Sequence, residues 1–200
     1  MAQTFVGSNN INLLVPNGQF GTRLKGGEDS ASERYIFTLL NTLSRHMFPE
    51  KDDIVLDYIN DDGQIVEPFY YVPIIPFVLV NGISGIGTGF SCNIPSYNPS
   101  EIVCYLKTML EGNKCPDKKF RPYYEGFKGS VEEIETAKFL IRGVYTSLDK
   151  DKILITELPV GTWTMNYLTF LEDLMEPEKK KKNGLILFSK RRKGHDFLRL

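Results

Sequence analysis

Several things that would have placed this 200-residue chain quickly are missing from it. Cysteine is scarce: Cys92, Cys104 and Cys115 are an odd number without metal-ligand spacing, and they read as structural thiols in a reducing compartment. No apolar run approaches the ~18–20 residues that span a bilayer. The richest stretch, Tyr71 to Val80, is too short and carries Pro73 and Pro76. No basic segment followed by an apolar one stands at the N-terminus, so no secretory signal is visible. Charge of one sign is lacking too. Lys and Arg number 24 against 25 Asp and Glu, a net charge of −1, and no overall basic field announces nucleic acid. Gly82-Ile-Ser-Gly-Ile-Gly resembles a phosphate loop superficially but lacks the Lys-Ser/Thr that follows in such loops, which argues against ATP binding here. No acidic cluster of the kind that holds a divalent metal is read here. Asp52-Asp53 and Asp61-Asp62 read as solvated turn acids.

What is present is an ordinary folding composition. Hydrophobic residues make up 42%, charged residues 24% and aromatic residues 12%, which excludes a disordered or fibrous chain. The length allows one large domain or two small ones, each able to bury a core. Charge is uneven along the chain: Lys179 to Lys182 and Lys190 to Lys193 hold eight cations and no acid. A solvated loop is the ordinary meaning of such runs and DNA contact the other one. The chain starts abruptly at Met1-Ala2-Gln3, with nothing resembling a tail, and the expectation is a piece of a longer protein.

Residues 7–35 are rich in Gly, Asn and Ser, with Leu13, Leu14, Phe20 and Leu24 interspersed. They read as ordered loops pinned to a core, since long irregular stretches in compact proteins are functional or disordered. Ser30-Ala-Ser-Glu33 fits a helix capping box, yet the aromatic and β-branched Tyr35-Ile-Phe-Thr favours a strand. The expectation is a strand near 34–40 and a helix near 41–48. Two strands, Ile54–Ile59 and Gln64–Tyr70, join at the turn sequence Asp61-Asp62-Gly63. Asn98-Pro99 is an N-cap followed by an N1 proline. It opens a helix with Ile102, Val103, Leu106 and Leu110 on one face, ending near Gly112. A hairpin of Lys138–Tyr145 and Ile153–Leu158 turns through residues 148–151. A last helix, capped by Thr162, carries Tyr167, Leu168, Leu171, Leu174 and Met175. The chain divides naturally at the proline-spaced connector Pro68–Pro76, with a loop-rich α+β piece before it and a mixed sheet-and-helix piece after it.

One short run carries chemistry: Asp29-Ser-Ala-Ser-Glu-Arg34-Tyr35. A phenol has a reference pKa near 10, so roughly one in a thousand is ionised at pH 7, and forming the nucleophile costs roughly 4 kcal/mol unless something stabilises the phenolate. An adjacent arginine is always charged and holds phosphate oxygens with a fork of donors. The pair supplies an attacking oxygen and a cation for developing charge, both needed in phosphoryl transfer. Nearby glycines let backbone approach a sugar-phosphate chain. On these grounds alone the ordinary role of a tyrosine beside an apolar strand is packing.

Longer runs change that balance. Phe5-Val-Gly-Ser-Asn-Asn10-Ile-Asn-Leu-Leu, Gly18-Gln-Phe-Gly-Thr-Arg23 and Gly26-Gly-Glu-Asp-Ser-Ala-Ser-Glu-Arg-Tyr-Ile-Phe-Thr38 closely resemble eukaryotic type II DNA topoisomerases. The resemblance continues through Phe48-Pro-Glu-Lys-Asp-Asp53, Tyr71-Val-Pro-Ile-Ile-Pro76, Val80-Asn-Gly-Ile-Ser-Gly-Ile-Gly-Thr-Gly-Phe-Ser91, Gly126-Phe-Lys-Gly129 and Glu157-Leu-Pro-Val-Gly-Thr-Trp-Thr164. It covers roughly residues 2–175 in unbroken order, and bacterial gyrase-like enzymes are less similar. It implies that Tyr35 is the nucleophile forming a 5′-phosphotyrosyl bond and Arg34 the transition-state stabiliser. Ile86, between Gly85 and Gly87, is implied to be the wedge that enters a base step of bent DNA; its ordinary role would be a buried tip residue. The resemblance further implies the C-terminal part of a winged-helix domain over residues 1–70 and the start of a tower domain over 71–200. The parent would be a homodimer acting on double-stranded DNA, with Mg2+ and ATP bound by parts of it outside this chain, so that the 200 residues alone are inactive. The implied setting is the nucleus, or the cytoplasm for a cytoplasmic large DNA virus. Where the family has a basic residue after Glu157-Leu-Pro-Val, this chain has Gly161, so no DNA contact is assigned there. The match fades from about Asn183. A reading from another class is a DNA-bending module without chemistry, in which the Arg34-Tyr35 run is a relic; a protein-interaction domain has only the neutral net charge in its favour.

Overall fold

The computed structural model describes residues 1–112 and 119–175. Cys115, both lysine-rich runs and the sequence from Asn183 onward lie outside the described residues. Strand β1 (Leu14–Asn17) follows an irregular opening segment and pairs antiparallel with β2 (Phe37–Leu40), Leu14 facing Leu40 and Asn17 facing Phe37. Between them runs a loop that ends in a single 3-10 turn, Glu33–Tyr35. The strand expected from 34 therefore begins at Phe37. The capping box read at Ser30–Glu33 is not formed: a single turn starts at Glu33, after a Ser32 that makes no side-chain cap, and the strand follows it. Helix α1 (Thr42–Met47) follows as expected, and Asn41 caps it by accepting from the Leu43 amide at 3.0 Å.

The strand expected at Ile54–Ile59 is displaced. Glu50–Val55 forms a 3-10 helix after Pro49, with Glu50, Asp52 and Asp53 in its first turn, where acidic side chains suit the exposed amides. Strand β3 (Tyr58–Asp61) starts only afterwards and pairs with β4 (Gln64–Pro68). The expected turn is there: Asp62 and Gly63 both have positive φ, the pattern of a two-residue hairpin loop, and Asn60 accepts from the Gly63 amide at 2.8 Å. The connector leads to the short α2 (Phe77–Asn81), and then to a ribbon of β5 (Ile83–Gly87) and β6 (Phe90–Ile94).

Helix α3 (Pro99–Leu110) opens as Asn98-Pro99 dictates, Asn98 accepting from the Ser100 amide at 2.9 Å. Its buried face holds Ile102, with Val103 and Leu106 packed beside it. Leu110, expected on that face, is 88% exposed because it lies in the last turn, past the end of the core. The single long strand expected at 138–145 is two. Strand β8 (Lys138–Arg142) pairs with β7 (Ser130–Glu135), while β9 (Val144–Asp149) pairs with β10 (Lys152–Glu157). The break falls at Gly143, where a Cβ would stand 2.1 Å from the Glu157 carbonyl oxygen. Helix α4 (Thr164–Met175) begins two residues beyond the expected cap, with Leu171 buried and Leu174 exposed.

All five sheets among the described residues are two-stranded antiparallel ribbons. Isolated ribbons are marginal by themselves, so the fold rests on what they attach to. The central core is Met47, Ile75, Val80 and Ile102, ringed by Ile11, Phe48, Phe77, Leu79 and Tyr97 among others, and it draws residues from both sides of position 70. Asn10 ties its surroundings together, its amide nitrogen donating to the carbonyls of Val80, Tyr97 and Tyr123 at 2.9, 3.2 and 3.0 Å. No helix of the described residues is long and apolar enough to cross a membrane.

Candidate nucleic-acid interface and cleavage site

Arg34 and Tyr35 share the 3-10 turn at the end of the glycine-rich loop. Tyr35 is 69% exposed although aromatic, and Arg34 is exposed and forms no ion pair among the described residues. A tyrosine serving as core packing would gain by burial. This one presents its phenol to solvent beside an uncommitted guanidinium.

The turn is exposed, but the loop before it is firmly built. Its two ends meet where the Ala31 amide donates to Gln19 O at 2.9 Å, and Gly18 lies against Ile36 and the Tyr35 carbonyl. Within it, Asp29 receives the Thr22 amide at 2.8 Å and the Thr22 hydroxyl at 2.5 Å. Those bonds, the hydroxyl first, hold the Asp29 carboxyl below the usual aspartate range. Gly21 crosses Gly27 so closely that a Cβ on Gly21 would stand 2.4 Å from the Gly27 Cα.

The loop tip docks on the segment between β10 and α4. Arg23 pairs with Glu157, and its second terminal nitrogen donates to Leu158 O at 2.7 Å. Gly26 sits flat on the Trp163 indole, where a Cβ would come within 2.3 Å of Nε1 and Cε2. The Met165 amide donates to Leu24 O at 2.9 Å, and Phe5 meets Trp163 edge-on at 5.8 Å. Three runs far apart in sequence, near 3–8, 18–35 and 157–165, thus form one unit behind the loop that ends in Tyr35. In the sequence, Arg23, Glu157 and Trp163 stand inside the resembling runs with no task attached to them. A carboxylate ahead of Leu-Pro and an arginine in a glycine loop were the available signals, but nothing in the sequence paired them.

Ile86 stands elsewhere, in β5 opposite Ser91 of β6, with the ribbon turning just beyond it at Thr88-Gly89. Strand alternation puts Ser84, Ile86, Ser91 and Asn93 on one face and Ile83, Phe90, Cys92 and Ile94 on the other. Ile86 is therefore the lone apolar side chain of a polar face, 94% exposed, and is not packed among Ile83, Phe90 and Ile94. The side chain lies one step short of the tip rather than on it. Full burial of an isoleucine is worth roughly 1.5–3 kcal/mol, and folding has not collected it here.

No three His, Cys, Asp or Glu side chains among the described residues converge on a point that could hold a metal ion. The Asp52-Asp53 pair is divided between solvent and a 3.3 Å ion pair of Asp53 with Arg45. The described residues do not fit a magnesium site.

The family model for DNA gyrase/topoisomerase IV (the A subunit of these enzymes) matches residues 1–191. The chain belongs to this family. It is 51% identical over 192 residues to DNA topoisomerase 2 of Arabidopsis thaliana, covering 94% of this chain and 13% of that one. Against DNA topoisomerase 2 of Bombyx mori the identity is 55% over 177 residues, covering 88% of this chain and 11% of that one. DNA topoisomerase 2-alpha of Homo sapiens is 51% identical over 177 residues, again 88% of this chain and 11% of the relative. Among solved structures, the DNA-binding, cleavage and re-ligation domain of Plasmodium falciparum topoisomerase II superposes with a TM-score of 0.89 at 43% identity, covering 99% of this chain and 26% of that one. The chain thus spans 11–13% of the length of these curated relatives and folds as part of the family's cleavage region, a mixed arrangement of helices and strands.

Proposed function

We propose that the polypeptide carrying this chain is a type II DNA topoisomerase, and that these residues supply its nucleophile and its DNA wedge. The observation that carries the reading is Tyr35, an exposed phenol next to an Arg34 that has no ion pair among the described residues, at the end of a loop fixed at both ends. In the proposed step the Tyr35 Oη attacks a DNA phosphorus. The phenol gives up its proton to solvent, the P–O bond to Oη forms, the P–O3′ bond breaks, and the departing 3′ oxygen takes up a proton from solvent. The product is a 5′-phosphotyrosyl ester and a free 3′-hydroxyl. Re-ligation is the reverse, so the strand is broken without loss of the bond's free energy to hydrolysis. Arg34, with a planar fork of donors, holds the non-bridging oxygens as charge develops on them.

Ile86 acts as the wedge. A single apolar side chain on a narrow ribbon enters a base step from the minor groove and kinks the duplex, at a cost of a few kcal/mol in unstacking. The ends of two broken strands must be held while another duplex passes, which is the work of a homodimer, each copy giving one Tyr35. We assign residues 1–70 to the C-terminal part of a winged-helix domain and 71–200 to the start of a tower. Mg2+ and ATP belong to other parts of the parent, and the nucleus, or the cytoplasm for a cytoplasmic DNA virus, is the setting. Magnesium would supply charge stabilisation at the transferring phosphate, from residues outside this chain.

The test is Tyr35→Phe in the full-length enzyme. The change removes one hydroxyl from an exposed ring, so folding and DNA affinity should be retained while covalent DNA attachment disappears. Attachment that persists would assign the nucleophile elsewhere; loss of attachment together with unaltered bending separates an enzyme from a bending module.

A further inference from the structure

We infer that the Arg23–Glu157 pair is a positioning latch for the Arg34-Tyr35 turn, and this rests on the reading of Tyr35 as nucleophile. Glu157 is 7% exposed and its carboxylate meets the Arg23 guanidinium, whose other terminal nitrogen is held by the Leu158 carbonyl. A buried carboxylate opposite one cation is a costly thing to keep unless the geometry is good, and removing either partner leaves the other stranded. Around the pair the loop cannot yield easily. Gly26 is pressed against Trp163, and Gly143 against the Glu157 carbonyl, so neither the loop tip nor the segment beneath it has room to shift. From Arg23 the constraint reaches the reacting turn through one covalent step to Thr22, across the Thr22–Asp29 bonds, and then six residues to Tyr35.

Such a latch has a chemical purpose. An exposed tyrosine must meet phosphorus in line, and small misplacements of a reacting group cost large factors in rate. The turn buries none of its own residues, so further constraint must come from the loop behind it. The arginine geometry is also demanding: two separate nitrogens of one planar group serve a carboxylate and a carbonyl, a spacing that the single nitrogen of a lysine does not reproduce.

The experiment uses the full-length enzyme and short duplex DNA, measuring single-turnover formation of covalent complex at saturating DNA alongside DNA affinity. Arg23→Ala and Glu157→Gln should each slow cleavage by about tenfold or more with affinity held within about twofold. The double variant should be no slower than the slower single one, since both changes break the same contact. Guanidinium ion should speed Arg23→Ala but not Tyr35→Phe, and Arg23→Lys should fall between Arg23→Ala and the wild type. A purely structural role would lower the cleavable fraction and leave the rate of that fraction unchanged, which would overturn the latch. Single-variant losses that multiply, or a fall in affinity parallel to rate, would overturn it too. If Tyr35→Phe still attaches to DNA, the nucleophile reading fails and takes the latch with it. If Tyr35→Phe is dead while Arg23→Ala cleaves at the wild-type rate, the latch alone fails.

Discussion

The loop that leads to Tyr35 and the ribbon that carries Ile86 are both rich in glycine, and they use it in opposite ways. In the loop, glycine removes side chains so that backbone and aromatic ring can touch: Gly21 crosses Gly27, and Gly26 lies on Trp163. In the ribbon, Gly85 has nothing within 4 Å of where a Cβ would be, and the nearest atom to one on Gly87 is 3.9 Å away. There glycine makes the element thin, not close-packed. The contrast matches the physical demands of the two roles proposed for Tyr35 and Ile86. A nucleophile must be held still, so its support is over-determined by hydrogen bonds, an ion pair and ring contacts. A wedge must find its packing partner outside the protein, so its own surroundings are left bare.

The two regions should separate most widely in chemistry. Arg34→Ala should lower the rate of covalent complex formation by about 10²–10³-fold, since it removes a donor to the developing charge. Arg34→Lys should recover only part of that loss, because a point charge lacks the planar fork. DNA bending should stay as it is. Ile86→Ala should show the reverse pattern, reducing energy transfer between dyes on the two duplex ends. Cleavage by Arg34→Lys at the full wild-type rate would mean that charge alone matters. Bending left intact by Ile86→Ala would remove the wedge from the proposal.

Next in size is folding. Gly21→Ala places a methyl group into the Gly27 backbone at a residue with φ of +94°, and should cost roughly 2–3 kcal/mol in unfolding free energy. Gly85→Ala meets open space, and should change thermal stability by less than roughly 1 kcal/mol. Equal melting shifts for the two substitutions would end the distinction drawn between the regions. Ile86→Ala belongs with the second group. A side chain 94% exposed gives up almost no burial, so its removal should stay within about 0.5 kcal/mol.

What the sequence revealed followed how local each cause is. The Asn98-Pro99 helix start and the Asp62-Gly63 turn depend on adjacent residues and were legible. The exposure of Ile86 was not, because flanking glycines fit a buried tip as well as a bare ribbon, and only the resemblance pointed to a wedge. Strand limits failed where a tertiary contact decides: the bend at Gly143 exists because Glu157 passes behind it, and that neighbour is fourteen residues further on. Strand β7 was missed because Glu132, Glu133 and Glu135 disguise it. These acids suit an edge where Arg142 and Lys138 of the adjoining strand lie opposite or near, at 3.6 and 3.5 Å. Resemblance named Tyr35, Arg34 and Ile86, whereas the Arg23–Glu157 contact spans 134 positions and became visible only in three dimensions.

The smallest expected difference between the regions concerns acid. Asp29 holds the loop closed through Thr22, and its carboxyl titrates below the usual aspartate range in the folded state because those donors favour the charged form. With the folded value depressed below the unfolded one, the stabilisation is complete above the ordinary aspartate value near 4 and is lost as pH falls through the folded one. Loop opening should therefore increase below about pH 4. The ribbon from Ile83 to Ile94 contains no carboxylate and should not respond. Hydrogen exchange corrected for its intrinsic pH dependence measures both in one sample: the Thr22 and Gly27 amides, bonded to Asp29 and to Thr22 O, should lose protection in acid while the β5–β6 ladder keeps its own. Asp29→Asn should abolish the difference, since an amide cannot titrate. A ribbon that loosens in step with the loop would show that the two are one cooperative unit, and would undo the separation of a fixed chemical site from a bare wedge.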